Sequence, residues 1–185
     1  RTPQTSYGTQ KVIGELLVND YSRNGFVDGR ALRFPTVVVR PGKPNKAAST
    51  FASSIIREPL QGDRAVCPVS PESRMFLASP RSIIENVVRA HNLAEEEWGP
   101  SREATLPGFC MSIRAMADAL EAVAGKTVVD RIDWKPDAFI QKIVDGWPPE
   151  FNTQKALSLG FVRDRSMEEV IQAFIDDELG GVVAA

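Results

Sequence analysis

The sequence predicts an α/β fold in which amphipathic helices alternate with short strands. Apolar residues recur with the period of a helix over residues 9–23, 81–93 and 112–125, and short runs rich in β-branched residues lie between such segments. A helix followed by a buried strand is the alternation typical of α/β proteins. The 185 residues suffice for one domain of ordinary size, or for one larger and one smaller lobe.

The first predicted helix covers residues 9–23, and the first predicted strand follows it. Gly14 lies inside the helix, where glycine costs up to ~1 kcal/mol relative to alanine, so we expect another backbone to approach closely there. The strand contains the unbroken run Val37, Val38 and Val39, which is typical of a strand buried on both faces. The apolar face of the helix contains Val12, Ile13, Leu16, Leu17 and Tyr21.

The middle of the chain is predicted to contain a short helix near residues 51–58, then two strands and a longer helix. The stretch DRAVCPVSPESRMFLAS forms the two strands, with SPES as the turn between them. Ser79 and Pro80 suit the N-cap and first turn of the helix RSIIENVVRAHNL.

The last third is predicted to alternate strands and helices. REATLPG and TVVDRID are the predicted strands, and PDAFIQKIVDGW is a predicted helix. The helix SIRAMADALEAVAG has Ser112 as its expected N-cap and Gly125 as its expected stop. Ser166 and Glu169 form a capping-box pattern that opens the final helix.

Composition and charge disfavour several classes of function. The net charge is −2, with acidic and basic residues interspersed, so neither nucleic acid nor an anionic membrane is an expected partner. Without an apolar run of about 20 residues or a leader, the chain is expected to be soluble and cytoplasmic. Cys67 and Cys110 are expected to be free, buried thiols. A single histidine leaves too few ligands for a His/Cys zinc site, so no metal is expected.

Tyr7 and Lys11 form the pattern that most directly suggests chemistry. A phenol has a pKa near 10 and is a poor base at neutral pH unless a nearby cation favours its anion. Side chains four residues apart on a helix stand on one face, so Tyr7 and Lys11 could share a ligand. The spacing alone is common, and the start of a surface helix explains it equally well.

The chain resembles the extended short-chain dehydrogenase/reductases, the NAD-dependent epimerase/dehydratase group. The resemblance rests on SYGTQKVIGELL, LRFPTVVVRPG, SRMFLASPRSIIENVVRA, REATLPG and the final LGFVRDRSMEEVIQAFIDDEL, in this order, and covers essentially the whole chain. Within the group, RFPTVVVRPGKPNKAAS and GWPPEF are most similar to D-erythronate dehydrogenases, which oxidise a four-carbon sugar acid with NAD.

The resemblance implies the C-terminal part of an extended Rossmann fold together with a small α/β substrate domain. Residues 1–45 would be the remnant of the NAD-binding domain and residues 46–185 mostly the substrate domain, with 75–94 returning to the Rossmann domain. No Gly-rich strand-to-helix fingerprint for a dinucleotide occurs in these residues, and the chain begins without Met. We therefore expect the N-terminal half of the cofactor domain to be missing and the chain alone to be inactive.

The resemblance also assigns roles to residues. Tyr7 would be the general base, and Lys11 would bind the nicotinamide ribose and lower the pKa of the phenol. Phe34, Pro35 and Thr36 would contact the nicotinamide or the substrate. The cofactor would be NAD, although NADP stays open because the residue that distinguishes them lies outside the chain. A homodimer through the helix that carries Tyr7 is expected.

The candidate substrate residues follow from the chemistry of a sugar acid. A carboxylate is held best by the planar fork of an arginine. Arg74 matches a position where relatives that bind nucleotide-sugars often have an arginine. Arg40 is a second candidate, with Asn45 and Ser49 as polar partners. A solvated surface charge or a structural ion pair is the alternative for either arginine.

Two other functions stay open. A nucleotide-sugar epimerase or dehydratase would use the same scaffold but would need a pocket for a base and a diphosphate. The chain could also be a non-catalytic fragment, or a subunit that pairs with the missing half.

Overall fold

The computed structural model describes residues 3–45 and 47–184, which form a mixed α/β structure with parallel strand pairs. The α/β class predicted from the sequence is confirmed. In chain order the elements are α1 (Ser6–Arg23), β1 (Ala31–Arg33), β2 (Thr36–Val37), α2 (Thr50–Leu60), β3 (Ala65–Cys67), β4 (Arg74–Ala78), α3 (Pro80–Asn92), α4 (Glu95–Trp98), β5 (Glu103–Thr105), β6 (Phe109–Ser112), α5 (Ile113–Ala124), α6 (Lys126–Val129), β7 (Ile132–Trp134), α7 (Ala138–Asp145), α8 (Gln154–Ser158) and α9 (Met167–Glu178).

The chain divides into two compact units, each assembled from three separate segments. Unit 1 contains the described residues up to 34 together with 84–107 and 152–162, and unit 2 contains 35–83, 108–151 and 163–184. The boundary after Phe34 precedes the predicted division at residue 45. Which part binds cofactor and which binds substrate stays a prediction.

Unit 1 contains α1 and a parallel pair of strands. β1 pairs with β5 in a register that places Ala31 beside Glu103 and Arg33 beside Thr105. The pairing continues beyond the strands, since the Leu106 N–H donates to the Arg33 carbonyl oxygen at 2.9 Å. The strand predicted in REATLPG is therefore confirmed as β5.

Unit 2 contains two small sheets and most of the apolar core. β2, β4 and β6 form one sheet in that order, with β2 parallel and β6 antiparallel to β4. β3 and β7 form a parallel pair. Core residues come mainly from the helices α2, α5 and α9 and from β4, and the largest fully buried side chains are Ile55, Ile56, Leu60, Leu77, Ile113, Met116, Leu120, Met167 and Ile171.

The N-caps predicted for α5 and α9 are confirmed, whereas α1 begins at Ser6, three residues before its predicted start. Ser112 caps α5 by accepting the Ala115 N–H at 3.1 Å, and Ser166 caps α9 by accepting the Glu169 N–H at 3.3 Å. Gly125 follows the last residue of α5 with a φ of 85°, a conformation that favours glycine.

The structure corrects two strand predictions. β2 ends at Val37, and although the Val38 N–H still donates to the Ala78 carbonyl oxygen, the chain then turns to contact α2. The predicted strand TVVDRID begins instead as the short helix α6, and only its end pairs with β3 as β7. Burial of Val128 in the core of unit 2 outweighs the β preference of that stretch.

Two further expectations fail. A Cβ added at Gly14 would meet no heavy atom within 4 Å, so no backbone approaches it among the described residues. Cys67 is buried as expected, but Cys110 is only half-buried, because it lies on the sheet face that points away from the core residues of β4. Both thiols are free.

A half-buried carboxylate holds the start of α3. Asp164 accepts the Ser79 hydroxyl at 2.5 Å, the Ser79 N–H at 2.8 Å and the Ser82 hydroxyl at 2.9 Å. The Ser79 oxygen also accepts the Ser82 N–H at 3.0 Å, which confirms Ser79 as the N-cap. Since Ser79 is buried, its N–H and hydroxyl depend chiefly on Asp164, whereas the Ser82 hydroxyl can also donate to the Ser79 carbonyl oxygen at 3.2 Å.

Replacing Asp164 with alanine is expected to lower the free energy of unfolding by about 1–3 kcal/mol, because it leaves buried donors without an acceptor. Urea denaturation followed by circular dichroism measures the change. Asp164→Asn is the control: it keeps an acceptor oxygen and should cost less. Equal stability of Asp164→Ala and the unaltered chain would contradict this account.

Candidate functional site

Tyr7 and Lys11 lie together in the first turns of α1. The helix begins one residue before Tyr7, because the Thr5 hydroxyl oxygen accepts the Gly8 N–H at 3.0 Å and so caps it. The Lys11 ammonium lies 5.3 Å from the centre of the Tyr7 ring. Tyr7 is 71% exposed and Lys11 is also exposed. The predicted pair is therefore adjacent on one helix face and open to a ligand.

An ion pair ties this helix to the strand that precedes Phe34. The Arg33 guanidinium contacts both carboxylate oxygens of Glu15, with 2.5 Å between Nε and Oε1. The hydrogen bond that Arg33 donates to Glu15 raises the pKa of Arg33 above its ordinary value. Two parallel bonds fix direction as well as distance, so α1 is held in a defined orientation against β1 within unit 1.

The three residues predicted to contact nicotinamide or substrate fall at the boundary between the units. Phe34 is exposed and directly follows β1 in unit 1, whereas Pro35 is buried and Thr36 opens β2 in unit 2. A Cβ at Gly108 would lie 3.0 Å from Pro35 Cγ and 2.5 Å from the Leu77 carbonyl oxygen. Pro35 is thus packed tightly against Gly108 within unit 2.

Arg74 opens β4 in unit 2 and points away from the core. Along the strand, Met75 and Leu77 belong to the core, so Arg74 and Phe76 lie on the opposite face. The Arg74 guanidinium lies 3.4 Å from a carboxylate oxygen of Glu150. Its remaining N–H groups provide the planar fork that the predicted carboxylate clamp requires.

The other predicted substrate residues lie before and at the start of α2. Asn45 Oδ1 accepts the Ala47 N–H at 2.8 Å and the Thr50 hydroxyl at 2.6 Å, so this oxygen stabilises the loop. Ser49 is the N-cap residue of α2, but its hydroxyl makes no capping bond. The Arg40 N–H donates to the Ser53 hydroxyl oxygen, and its carbonyl oxygen accepts from Arg57, so hydrogen bonds fix its backbone. Its half-buried side chain is the part that can bind a ligand.

Arg57 is a structural residue that sequence reasoning missed. It is only 3% exposed, and its guanidinium donates to the Arg40 carbonyl oxygen at 2.7 Å, to Ser54 Oγ at 3.2 Å and to Glu58 Oε1 at 2.6 Å. A buried charge needs such partners. The sequence feature that could have revealed it is an arginine in the short, largely apolar helix TFASSIIREPL.

The described residues contain neither a cluster of metal-ligating side chains nor a membrane-spanning helix. Between residues 3 and 45 and between 47 and 184, no group of three or more His, Cys, Asp and Glu side chains could hold a metal ion. Nor does any helix in those two stretches have the length and apolar character needed to cross a membrane. The predicted cytoplasmic location stays a prediction.

Comparison with known proteins identifies close relatives, although no family model matches the chain. A D-erythronate dehydrogenase of Cupriavidus necator is 53% identical over 175 residues, which are 95% of this chain and 54% of the relative. A D-erythronate dehydrogenase of Haemophilus influenzae is 47% identical over 178 residues, 96% of this chain and 56% of the relative. The chain therefore spans about half the length of these curated relatives.

Solved structures agree with the fold. A nucleoside-diphosphate-sugar epimerase from Agrobacterium tumefaciens superposes with a TM-score of 0.95 at 46% identity, covering 99% of this chain and 54% of the other. An L-threonine 3-dehydrogenase from Trypanosoma brucei superposes with a TM-score of 0.85 at 21% identity, covering 100% and 57%. The second likeness shows the fold alone.

Proposed function

We propose that this chain, which belongs to the extended short-chain dehydrogenase/reductases, forms the part of an NAD-dependent dehydrogenase that carries the catalytic base and binds a small sugar acid. The observation that carries the proposal is the exposed Tyr7 and Lys11 pair on one face of α1. Identity of 53% and 47% to two D-erythronate dehydrogenases supports D-erythronate or a similar hydroxy acid as the substrate.

Tyr7 would accept the proton of the substrate hydroxyl at its phenolate oxygen. Lys11, 5.3 Å from the ring, would favour the phenolate by its charge and donate hydrogen bonds to the cofactor ribose. The two side chains fit a nicotinamide riboside, because both are exposed on one face of a helix that the Glu15 and Arg33 pair holds in place. When bound, NAD would supply the acceptor for the hydride that leaves the substrate carbon bearing this hydroxyl group.

In unit 2, Arg74 would hold the substrate carboxylate. It is the candidate whose exposed guanidinium contacts Glu150 at 3.4 Å and lies beside the Cys110 thiol. Arg40, Asn45 and Ser49 would contribute secondary contacts to the hydroxyl groups. The Asn45 carbonyl oxygen already has two partners, so its amide N–H groups would do the binding.

We further propose that the dinucleotide is bound largely by a cofactor-binding half outside these 185 residues. The support is that relatives are about twice as long and that the sequence contains no glycine fingerprint for a pyrophosphate. The chain by itself would then be inactive, and residues of the other half would select between NAD and NADP.

The test is reduction of NAD⁺ by the full-length protein that contains the chain, with D-erythronate as substrate and absorbance at 340 nm as the measurement. The same assay with NADP⁺ in place of NAD⁺ shows which of the two cofactors is reduced. Erythritol, which has the same carbon chain without the carboxylate, is the control substrate and should react poorly. Equal rates with both substrates would contradict the sugar-acid assignment.

A second candidate is a nucleotide-sugar epimerase, favoured by the name of the Agrobacterium tumefaciens structure that is 46% identical to this chain. Epimerisation returns the hydride to the substrate, so it produces no net NADH. Conversion of a UDP-hexose, followed by chromatography without a change at 340 nm, would support this function and exclude the first.

A homodimer is proposed through the exposed apolar face of α1. Ile13, Leu16 and Leu17 are all more than half exposed, and a Cβ added at Gly14 between them would meet nothing within 4 Å. Apolar side chains grouped in this way are typical of an interface, and a two-fold axis would bring the same face of a second copy against them.

Leu17→Glu is therefore expected to weaken association at least about tenfold, since a buried unpaired carboxylate costs well over the ~1.4 kcal/mol that a factor of ten represents. Sedimentation of the full-length protein at micromolar concentration measures the shift. Leu157→Glu, which changes an exposed leucine on α8, is the matched control and should leave the mass unchanged. A monomeric mass for the unaltered protein would contradict the dimer.

A further inference from the structure

The face of the three-stranded sheet that carries Arg74 forms a small polar and aromatic patch in unit 2. Arg74 pairs with Ser112, and Phe76 pairs with Cys110, so all four lie on the face opposite the core residues Met75 and Leu77. We call this set of four residues the Arg74 face.

Residues 147–151 run over the Arg74 face. Trp147 packs against the core at one end, and the Phe151 ring lies 5.1 Å from the Phe76 ring at the other. Pro148 and Pro149 between them restrict the backbone, because each fixes its own φ. Glu150 is therefore presented by a segment anchored on both sides, and its carboxylate reaches Arg74 at 3.4 Å.

The Cys110 thiol lies beside both charges. Partial burial raises its pKa, Arg74 opposes this shift by its charge and a hydrogen bond, and the Glu150 charge adds to it. Arg74 and Glu150 are 53% and 73% exposed at their side chains, so the contact between them faces solvent. A ligand can therefore reach Arg74 and compete with Glu150 for it.

We propose that Glu150 is a built-in competitor that occupies the carboxylate subsite at Arg74 when no acid is bound. The inference rests on the proposed function, in which Arg74 binds the carboxylate of a sugar acid. An incoming acid displaces the Glu150 carboxylate and takes over the guanidinium, while a neutral polyol gains nothing there. Glu150 thereby weakens acid binding and speeds release of the acidic product.

The size of the effect follows from the exposure of the pair. Exposed ion pairs contribute about 0.2–1 kcal/mol, which corresponds to a factor of about 1.4 to 5 in affinity. Removal of the competing charge by Glu150→Gln should therefore tighten D-erythronate binding by a factor of about 1.4 to 5 at low salt. Because exposed charges more than about 3 Å apart are strongly screened at 1 M salt, the gain should largely disappear there.

The experiment is titration calorimetry of the full-length protein with D-erythronate, together with the rate of Cys110 modification by N-ethylmaleimide. Cys67 is buried, so the half-buried Cys110 should react first, and bound D-erythronate should protect it. Erythritol should not protect the thiol, and its binding to Glu150→Gln and to the unaltered protein should be the same. Glu121→Gln, which removes a charge from the exposed face of α5, is the matched control.

Tighter binding in Glu150→Gln, lost again when Arg74→Gln is added, is the expected result. Unchanged or weaker binding of D-erythronate by Glu150→Gln, in a protein that binds this acid normally, overturns the inference and leaves the proposed function standing. Failure of both proteins to bind D-erythronate overturns the inference together with the sugar-acid assignment.

Discussion

Replacing Tyr7 with phenylalanine is expected to reduce turnover of the full-length protein by on the order of 10²–10⁴, because the variant lacks the group that accepts the substrate proton. Stability should be nearly unaffected, since the side chain is 71% exposed and loses only its hydroxyl. Initial rates of D-erythronate oxidation and thermal unfolding, measured on the same preparations, separate the two effects.

Tyr21→Phe is the matched control, since it is the other tyrosine of the chain and lies on the same helix. The Tyr21 ring contacts Phe26 edge-on, with 5.7 Å between ring centres, and this contact does not need the hydroxyl. The activity of Tyr21→Phe should be close to that of the unaltered protein. Near-normal activity of Tyr7→Phe would show that another group is the base.

Replacing Gly108 with alanine is expected to destabilise unit 2 by about 1–3 kcal/mol or more, the range seen when extra atoms are forced into a packed interior. The added methyl would lie 2.5 Å from the Leu77 carbonyl oxygen and 3.0 Å from both Phe76 Cζ and Pro35 Cγ. A backbone oxygen inside a sheet cannot move aside as the end of a flexible side chain can. The midpoint of urea unfolding should fall accordingly.

Gly14→Ala provides the opposite case. Nothing lies within 4 Å of its Cβ position, and the residue is in a helix interior, where alanine is favoured over glycine by up to ~1 kcal/mol. Gly14→Ala should therefore raise the stability of the monomer, measured below the concentration at which the proposed dimer forms. A gain in stability for Gly108→Ala would contradict the tight packing described around Pro35.

The sequence predicts the parts of this fold that depend on neighbouring residues. Ser79, Ser112 and Ser166 are recognisable as N-caps, because the bonds they accept come from residues three positions along the chain. The Tyr7 and Lys11 pair is equally local. α6 was misassigned because burial of Val128 depends on distant parts of the chain, which no local pattern reports.

The rest of the candidate site depends on contacts between distant residues. Asp164 meets Ser79 across 85 positions of sequence, and Glu150 meets Arg74 across 76. Arg74 could be identified as a carboxylate clamp only from the family resemblance, and nothing in the sequence around Arg74 indicated Glu150. Arg57 was missed for the same reason, since its acceptor on Arg40 lies 17 residues away.

The interleaving of the two units bears on how the chain is made in the cell. Unit 1 needs residues 152–162 and unit 2 needs residues 163–184, so each stays incomplete until its last segment has been translated. At about 5–20 residues per second, α1 would wait on the order of ten seconds for the segments that complete its unit.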